Sequence, residues 1–429
     1  MSTRAESLLP PHGIRLQELE GYLMSSAPAP SRLRAAPPGR GSGDASGFGW
    51  GPKDVATDVV LCDLRVLAYV YPGWHPIPER DERYYPGFTE WDLVFESGPR
   101  FPGHVQPRLP LWGRYDDRDP GAVERRVVLC RDHGVDGLVF GFFWCRGKRV
   151  FQDALDLGFL GSPSGRSFPF AVMWANRMPR RVLPVRRADL AVIETDRLVP
   201  TDVADFVALV RYLAERYFVR EGYIRVGGRA YLSIFDSTFF LRELGLDGAR
   251  AAIAAARAML VSAGLPPLHL AAIDPSADVI GQVAGAGFDS VTHYLLLPDW
   301  KGPLLQDYEA RAALRAREWP LVAARARLPY HPSVSPGWDA SPRGADFGVT
   351  RPDRYPWSPV ITGEHPDRFR VVVARAVAHA RACGLPPDEQ MVFVASLNEW
   401  SEGHYLEPDT RFGLAWIEAV RDGRAEGRG

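Results

Sequence analysis

The stretch that decides the fold runs from Phe393 to Asp409 and reads FVASLNEWSEGHYLEPD. It begins as an apolar strand and ends abruptly in carboxylates, an amide and aromatic rings. A strand rich in Val and Phe favours burial, whereas ionised carboxylates resist it. The junction therefore marks the point where a core opens into a polar pocket, which is how barrel enzymes present catalytic groups at the carboxyl ends of their strands.

Two acids in this stretch, Glu399 and Glu402, are three residues apart with Trp400 between them. If the chain turns helically after Leu397, their Cβ atoms lie about 5 to 6 Å apart. That distance is close to the roughly 5 to 5.5 Å between the carboxyl groups of retaining glycosidases. We interpret the pair as catalytic carboxylates acting on a sugar acetal; the alternative is two solvated loop acids.

Length and charge narrow the class of protein. The chain has 429 residues, 51 Lys and Arg against 52 Asp and Glu, and a formal net charge of -1. One barrel of about 250 residues with insertions accounts for most of this length, so one large domain is expected. The even mixture of charges gives no electrostatic footprint for nucleic acid or an anionic membrane. A neutral polar substrate is therefore favoured, and no nucleic-acid partner is predicted.

Cysteine spacing and hydropathy exclude several further classes. The four cysteines show neither a CxxC motif nor metal-ligand spacing, so no zinc site, disulfide framework or cofactor is predicted. No apolar run approaches the roughly 20 residues of a membrane span, and the N-terminus lacks a basic-then-apolar signal pattern. These features predict a cytoplasmic protein without a transmembrane segment.

The chain divides by composition into a leader and a barrel domain. Residues 1–58 are rich in Pro, Ala, Gly, Ser and Arg and bury too little to offset their ordering entropy, which predicts a flexible leader. Residues 59–424 are predicted to form the barrel domain. A dinucleotide-binding sheet would need a glycine fingerprint after a strand, and Gly227-Gly228 precedes one instead.

Within the second part, apolar strands alternate with helical stretches. The predicted strands are Val66–Tyr71, Gly137–Phe143, Phe168–Trp174, Ala230–Phe235, Leu268–Ile273, Ser290–Tyr294, Leu328–Val334 and Met391–Leu397. The predicted helices are Pro120–His133, Val203–Phe218, Ala249–Ala263, Tyr308–Ala324 and Asp367–Cys383. Eight such alternations predict an α/β protein with a (β/α)8 TIM barrel rather than a doubly wound sheet.

Polar and aromatic residues recur after these strands, at the face where barrel active sites lie. The residues selected from them as candidate substrate-binding groups are Trp74, His75, Glu90, Trp91, Trp144, Asn176, Tyr294, Trp338, Asp339, Asn398 and Trp400. No metal ligand is among the candidates. Because sugars expose hydroxyl groups and apolar ring faces, amides, carboxylates and indoles suit them.

Structural alternatives stay open for several of these residues. Asn398 is also a turn-forming residue and Trp400 a possible wall on the barrel rim. His75 and Asn176 could cap turns, and the Asp339 segment is equally typical of an Asx turn. The Glu90 carboxylate could pair with the Arg108 guanidinium instead of facing a pocket.

Several blocks together resemble the WbsX family of polysaccharide-biosynthesis proteins, also described as glycoside hydrolase family 99-like. The blocks keep the order of that family from about residue 66 to 420 and comprise Tyr71–Glu79, Gly87–Trp91, Gly103–Pro110, Gly134–Gly137, Phe143-Trp144 with Gly147-Lys148, Phe168–Phe170 with Trp174–Asn176, Tyr223–Gly228, Pro336–Asp339 and Asn398–Asp409.

The resemblance implies a (β/α)8 barrel acting on an oligosaccharide or polysaccharide, often in cell-surface glycan metabolism. In the related family 99 enzymes, which resemble retaining endo-α-mannosidases, the acids matching Glu399 and Glu402 act without a metal. The first is implied to be the base on the sugar 2-hydroxyl, giving an anhydro-sugar intermediate. The second is implied to be the general acid/base at the glycosidic oxygen.

The chain departs from the family pattern at two places. Arg177 stands where an acid usually follows Trp-Ala-Asn, and Gly73-Trp74 stands where Gln-Phe is common. A cation in place of an anion beside the sugar site implies a changed substrate or altered activity. Two rival functions therefore stay open, a glycosyltransferase in polysaccharide assembly and a non-catalytic carbohydrate-binding barrel.

Overall fold

The computed structural model describes residues 64–176, 201–347 and 351–428. The predicted leader, residues 1–58, and Arg177 lie outside these ranges. The boundaries proposed for the leader and the barrel domain therefore stay a prediction.

Eight parallel strands of the described chain form the barrel. Their bounds are β1 Arg65–Val70, β2 Gly137–Cys145, β3 Phe170–Trp174, β4 Arg229–Ile234, β5 Leu268–Ile273, β6 Ser290–Thr292, β7 Ser333–Val334 and β8 Met391–Val394. They pair in the order β7-β8-β1-β2-β3-β4-β5-β6. A parallel bridge between Val291 and Tyr330 links β6 to the segment before β7, so the sheet nearly closes. The predicted (β/α)8 barrel is confirmed.

Four of the predicted strands are shorter in the structure. The third begins at Phe170 rather than Phe168, and the other three lie at the seam and in the last strand. The strand predicted over Leu328–Val334 is reduced to two residues because Pro329 and Pro332 have no N–H group for a ladder. The sixth strand ends at Thr292 and the eighth at Val394. After Val394 the backbone still bonds to both neighbours, through Ala395 N–H to Val334 O at 2.9 Å and Leu397 N–H to Tyr69 O at 2.8 Å, before it turns into the loop of the upper face.

Helices alternate with the strands. The α-helices of the described ranges are α1 Pro78–Arg83, α2 Glu90–Glu96, α3 Pro120–Asp132, α4 Pro163–Ser167, α5 Val203–Leu213, α6 Ser237–Ser262, α7 Val283–Ala286, α8 Tyr308–Ala326, α9 Pro366–Ala382 and α10 Ala415–Glu426. Short 3₁₀ turns include Ser341–Phe347 and Trp400–Glu402, and short strand pairs join Leu305–Asp307 to Val360–Thr362 and Asn398–Glu399 to His404–Tyr405. Helix α6 begins earlier than predicted and is kinked at Gly245, where φ is 67°.

The interior of the barrel is filled by side chains. All six residues of β5 are buried, as expected of a strand covered on both faces. Strands β4 and β8 are not neighbours in the sheet, yet the rings of Tyr231 and Phe393 lie 5.8 Å apart. The ring of Tyr69 stacks on Phe393 at 5.4 Å. These rings meet across the axis, so the barrel is a packed core that supports a site at its rim.

A short segment, Pro99–Val105, belongs to a different compact unit from the one that contains the barrel. Within this segment the ring of His104 stacks on Phe101 with centroids 4.3 Å apart. In the part of the chain that the structure describes, no helix combines the length and the apolar character needed to cross a bilayer.

Candidate functional site

The two acids lie on a hairpin that follows β8. Asn398–Glu399 pairs with His404–Tyr405 in antiparallel register, and the turn Trp400–Glu402 connects them. Gly403 closes the turn with φ at 69°, and a Cβ atom there would lie 2.9 Å from the backbone nitrogen of Asp339. Glycine at this position therefore allows both the reversal of the chain and the close approach of the neighbouring loop.

Arg343 joins the two acids. This guanidinium comes from the turn Ser341–Phe347 after β7, and the residue is 3% exposed. Its Nη2 donates to Glu399 Oε1 at 2.9 Å, its Nη1 donates to Glu402 Oε1, and its Nε donates to Glu90 Oε2 at 2.9 Å. Charge-assisted hydrogen bonds of this kind are among the stronger ones in proteins. One buried cation thus fixes three carboxylates.

Glu90, at the first turn of α2, is fully buried. Besides Arg343 it accepts hydrogen bonds from the Arg80 guanidinium, the Tyr71 hydroxyl and the Ser401 hydroxyl. The guanidinium partners of Glu90 are thus Arg80 and Arg343 rather than Arg108, which pairs with Glu364 at 2.8 Å. Glu90 belongs to the same buried charge cluster as the two acids of the hairpin.

The pKa values of the two hairpin acids move in opposite directions. Burial, followed by repulsion from Glu402, raises the pKa of Glu399 above its ordinary value. Burial also acts to raise the pKa of Glu402, but Arg343 and the His404 hydrogen bond outweigh it and hold that pKa below its ordinary value. The pKa of Glu90 is likewise low because Arg343 and Arg80 outweigh its burial. The arrangement favours a proton on Glu399 and a charge on Glu402.

Three further side chains contact the pair. The Tyr294 hydroxyl donates to Glu399 Oε2, and the Tyr355 hydroxyl donates to Glu402 Oε1 at 2.9 Å. His404 Nε2 lies 3.3 Å from Glu402 Oε2. Potential ligand atoms of Glu399, Glu402 and His404 lie within 4.8 Å of one another. Arg343 already supplies positive charge to both carboxylates, so the donor set fits an acid/base pair better than a metal centre.

Two asparagines brace the rim. The Asn398 Oδ1 accepts from the Tyr71 N–H at 2.8 Å, and its Nδ2 donates to the Tyr71 carbonyl at 3.0 Å. Asn176 makes the same paired contact with the backbone of Asp236, at 2.8 and 2.9 Å. Both amides therefore join the end of one strand to the loop after its neighbour. Their predicted contacts with substrate stay predictions.

Asp339 is buried in the loop that carries Arg343. Its Oδ1 accepts from the Ser341 N–H at 3.1 Å, and its Oδ2 accepts from Gln106 Nε2 at 2.7 Å. The first contact is the Asx-type turn that was the structural alternative at this residue. The turn shapes the backbone two residues before Arg343.

Four of the predicted tryptophans pack into the rim. Trp74, Trp91, Trp144 and Trp400 are at most 5% exposed. Their indole N–H groups donate to Asn398 O at 2.9 Å, Tyr115 O at 2.8 Å, Asp205 Oδ1 at 3.1 Å and Glu407 Oε2 at 2.8 Å, respectively. The structure gives these rings packing contacts, and sugar stacking on them stays a prediction.

Trp338 and His75 differ from these four tryptophans because their buried ring nitrogens lack hydrogen-bond partners. Trp338 Nε1 and both ring nitrogens of His75 have no hydrogen-bond partner among the described residues. Burial lowers the pKa of His75 to about 4, so its imidazole is neutral at pH 7. Both groups keep hydrogen-bonding capacity that a polar ligand could use.

The structure thus brings together Glu399, Glu402, Glu90 and Tyr294 from the predicted set. Sequence reasoning missed Arg343, Tyr355, His404 and Arg80. His404 lies inside the quoted hairpin, and Arg343 follows Asp339 by four residues. The sequence indicated such residues only indirectly, because two acids that enter a protein core require a cation nearby.

The chain is similar to known proteins over most of its length. A family model described as Glycosyltransferase WbsX matches residues 66–420. The chain is 32% identical over 370 residues to the uncharacterized protein WxcX of Xanthomonas campestris pathovar campestris, a match that covers 83% of this chain and 49% of that protein. The chain therefore spans about half the length of that curated relative.

Two solved structures share the fold. The GH99 endo-alpha-mannosidase from Bacteroides thetaiotaomicron, in complex with bis-tris-propane, superposes with a TM-score of 0.55 at 13% identity, covering 86% of this chain and 98% of that one. A glycoside hydrolase-like protein gives a TM-score of 0.52 at 14% identity, covering 88% and 97%. At these identities the similarity shows the fold alone.

Proposed function

The chain belongs to the glycosyltransferase WbsX family, and from this premise we propose that it is a glycan-active enzyme that cleaves glycosidic bonds through Glu399 and Glu402. The fold is that of glycoside hydrolases. We propose a retaining, endo-α-mannosidase-like hydrolase linked to cell-surface polysaccharide metabolism, with an oligosaccharide or polysaccharide as substrate. The cytoplasmic location and the lack of a nucleic-acid partner stay predictions from sequence.

The observation that carries the proposal is the charge balance of the buried cluster. Among the described residues it holds three carboxylates, Glu90, Glu399 and Glu402, and two guanidinium groups, Arg80 and Arg343. Full ionisation would leave one negative charge unbalanced in a buried site, and one proton removes it. A pair of carboxyl groups that shares one proton is what acid/base chemistry at a glycosidic bond requires.

Cleavage breaks the bond between the anomeric carbon and the glycosidic oxygen. The protonated carboxyl gives its proton to the departing oxygen, while the ionised carboxylate either bonds to the anomeric carbon as nucleophile or, as base, takes the proton of the sugar 2-hydroxyl, whose oxygen then bonds to that carbon. In the second step a water molecule attacks the anomeric carbon and gives one proton to the carboxylate left by the first step, which breaks the bond formed there and restores both groups. Family resemblance assigns the base to Glu399 and the acid to Glu402. The contacts in the structure favour the reverse distribution of the proton, since Glu402 accepts from Arg343, Tyr355 and His404.

Two single variants test the chemistry and the roles. Purified wild type, Glu399→Gln and Glu402→Gln are incubated with α-mannosyl and α-rhamnosyl oligosaccharides and bacterial surface glycans, and products are measured by mass spectrometry. Each variant is expected to lose about 10²- to 10⁴-fold in rate. The control is Glu309→Gln, whose side chain is 74% exposed and outside the cluster. Wild-type turnover retained by both cluster variants would refute the proposal.

A second substrate separates acid from base. On a dinitrophenyl α-glycoside the leaving group needs no protonation, so the variant that lacks the general acid keeps its rate in the bond-cleaving step, whereas the other variant does not. If Glu399→Gln keeps its rate, Glu399 is the general acid, in agreement with the proton distribution that the contacts in the structure favour. If Glu402→Gln is rescued, the roles implied by the resemblance hold.

The transferase alternative is supported by the description of the family itself. It predicts that a nucleotide sugar supplies the glycosyl unit and that the acceptor glycan gains mass. Incubation of the protein with nucleotide sugars and acceptor glycans, followed by mass spectrometry, tests this. A non-catalytic binder would instead bind glycans equally well as wild type and as the Glu399→Gln, Glu402→Gln double variant, with no product in either case.

A further inference from the structure

Trp300 is exposed where the other tryptophans of the candidate site are buried. It lies on the loop after β6, and the residue is 55% exposed. Among the large hydrophobic residues exposed in residues 64–176, 201–347 and 351–428, it is the only tryptophan. Tryptophan is on average highly buried in folded proteins, so an exposed indole on the catalytic face of a barrel calls for an explanation.

Ring contacts connect Trp300 to the paired acids. The rings of Trp300 and Trp338 form a T-shaped pair, with centroids 5.0 Å apart and 84° between the ring planes. Trp338 stacks on His404 at 5.6 Å, with 19° between the ring planes. His404 Nε2 in turn lies 3.3 Å from Glu402 Oε2. A series of ring contacts therefore links the exposed Trp300 to the buried carboxylate.

The turn that carries Trp300 is held in place by a buried amide. Gln306 is 5% exposed, and its Oε1 accepts from the Asp299 N–H at 2.8 Å. Its Nε2 donates to the carbonyls of Asp299 at 2.8 Å and Pro303 at 3.0 Å. The Gly302 N–H closes the turn on the Asp299 carbonyl at 3.0 Å. A ring presented by a braced turn loses little freedom when a ligand binds.

Trp338 adds an unsatisfied polar group to this surface. The residue is 3% exposed, and its Nε1 has no hydrogen-bond partner in the described chain. Buried donors are nearly always paired in native proteins. A ligand hydroxyl beside Trp300 would supply the missing acceptor. Asp299 and Lys301 flank the exposed ring with opposite charges, so the surface suits a neutral ligand.

We propose that Trp300 and Trp338 form an accessory subsite for a neutral pyranose unit of the glycan, beside the units held at Glu399 and Glu402. The apolar face of the sugar packs on the Trp300 indole, and one hydroxyl accepts from Trp338 Nε1. The inference rests on the proposed function and deepens it: the substrate is an oligosaccharide that extends past the reacting linkage, rather than a single sugar with an aglycone.

The test compares ligand length in wild type, Trp300→Ala and Trp300→Tyr. Affinity for α-mannosyl and α-rhamnosyl oligosaccharides of two to five units is measured by isothermal titration calorimetry. We expect Trp300→Ala to weaken binding of the longer members about tenfold, equivalent to about 1.4 kcal/mol. Trp300→Tyr should restore most of that loss because the ring is kept. The control is Val261→Ala, a 78% exposed apolar residue at the end of α6 that leads into β5.

A parallel rate measurement separates this inference from the proposed function. Hydrolysis of a dinitrophenyl α-glycoside of one sugar should be unchanged by Trp300→Ala, because that substrate does not reach the subsite. If wild type hydrolyses it and Trp300→Ala binds every oligosaccharide as tightly as wild type, the subsite is overturned and the proposed function stands. Length-dependent weakening of binding, with hydrolysis of neither the oligosaccharides nor the glycoside, supports the subsite and refutes the hydrolase. Failure of wild type to bind any probe overturns the subsite.

Discussion

Replacing Arg343 by Met should destabilise the protein in a pH-dependent way. Arg343 is 3% exposed and donates to Glu90, Glu399 and Glu402. Met is apolar and flexible, so it fills much of the space but leaves these buried carboxylates with Arg80 as the remaining cation among the described residues of the cluster. Removal of one partner from a buried ion pair costs about 3 to 5 kcal/mol, and we expect a loss of that size at pH 7.

The direction of the pH dependence follows from the lowered pKa values of Glu90 and Glu402. In wild type these groups stabilise the fold above the ordinary carboxyl pKa, and that contribution is lost as the pH falls through their lowered values. In the variant, both pKa values move upward because Arg343 no longer opposes burial, most at Glu402, since Glu90 keeps its ion pair with Arg80. The carboxyl groups then destabilise the fold at neutral pH, and protonation relieves this. The difference in the free energy of unfolding between variant and wild type should therefore be largest at pH 7 and should decrease towards about pH 4.

The assay is equilibrium urea unfolding followed by tryptophan fluorescence at both pH values. Arg211→Met is the matched control: its ion pair with Glu215 has side chains 49% and 54% exposed, and its removal should change the stability by no more than about 0.5 kcal/mol. An equal loss at pH 7 and pH 4 would show that Arg343 acts by packing alone. A loss no larger than that of the control would refute the ion-pair argument altogether.

Three further predictions concern the same rim. The pH profile of kcat/KM should be bell-shaped, with an acid limb below the ordinary carboxyl pKa set by Glu402 and a basic limb above it set by Glu399; two limbs at the ordinary value would contradict the assignment. Tyr294→Phe removes a donor to the Glu399 carboxylate, so the basic limb should move to higher pH, and a shift to lower pH would contradict this. Asn398→Ala removes two hydrogen bonds to the Tyr71 backbone and should cost about 1 to 3 kcal/mol in urea unfolding. Asn176→Ala is the matched comparison, because Asn176 makes the same pair of backbone hydrogen bonds. Wild-type stability together with lost activity in either variant would show that the amide contacts substrate rather than bracing the rim.

The barrel could be predicted from the sequence because the residue patterns that determine its strands are local. Each strand is a short apolar run bounded by turn residues, and β5, with all six residues buried, is the clearest case. The strand order follows from alternation with helices. The shortening of β7 was also foreseeable in principle, since Pro329 and Pro332 remove ladder donors from the run.

The site was readable only in part because its contacts are long-range. The spacing of Glu399 and Glu402 within one short segment predicts from the sequence alone that the two carboxyl groups lie close together. Arg343 reaches them from a different loop, 56 and 59 positions away along the chain. Periodicity and local propensity carry no information about such a contact. The same limit applies to Asn398, whose two hydrogen bonds with the Tyr71 backbone join residues far apart in the sequence and could not be predicted from it.

The division of the charge cluster among separate loops has a consequence for how a substitution can change the two acids. The two acids are carried by the hairpin after β8, whereas Arg343 is carried by the loop after β7 and Glu90 by the segment after β1. A substitution of Arg343 therefore alters the proton affinity of Glu399 and Glu402 although the sequence of the hairpin is unchanged. The hairpin and that loop are joined, because the Asp339 N–H donates to the Glu402 carbonyl at 2.8 Å. The proton affinity of the pair is thus a property of three loops rather than of the hairpin alone.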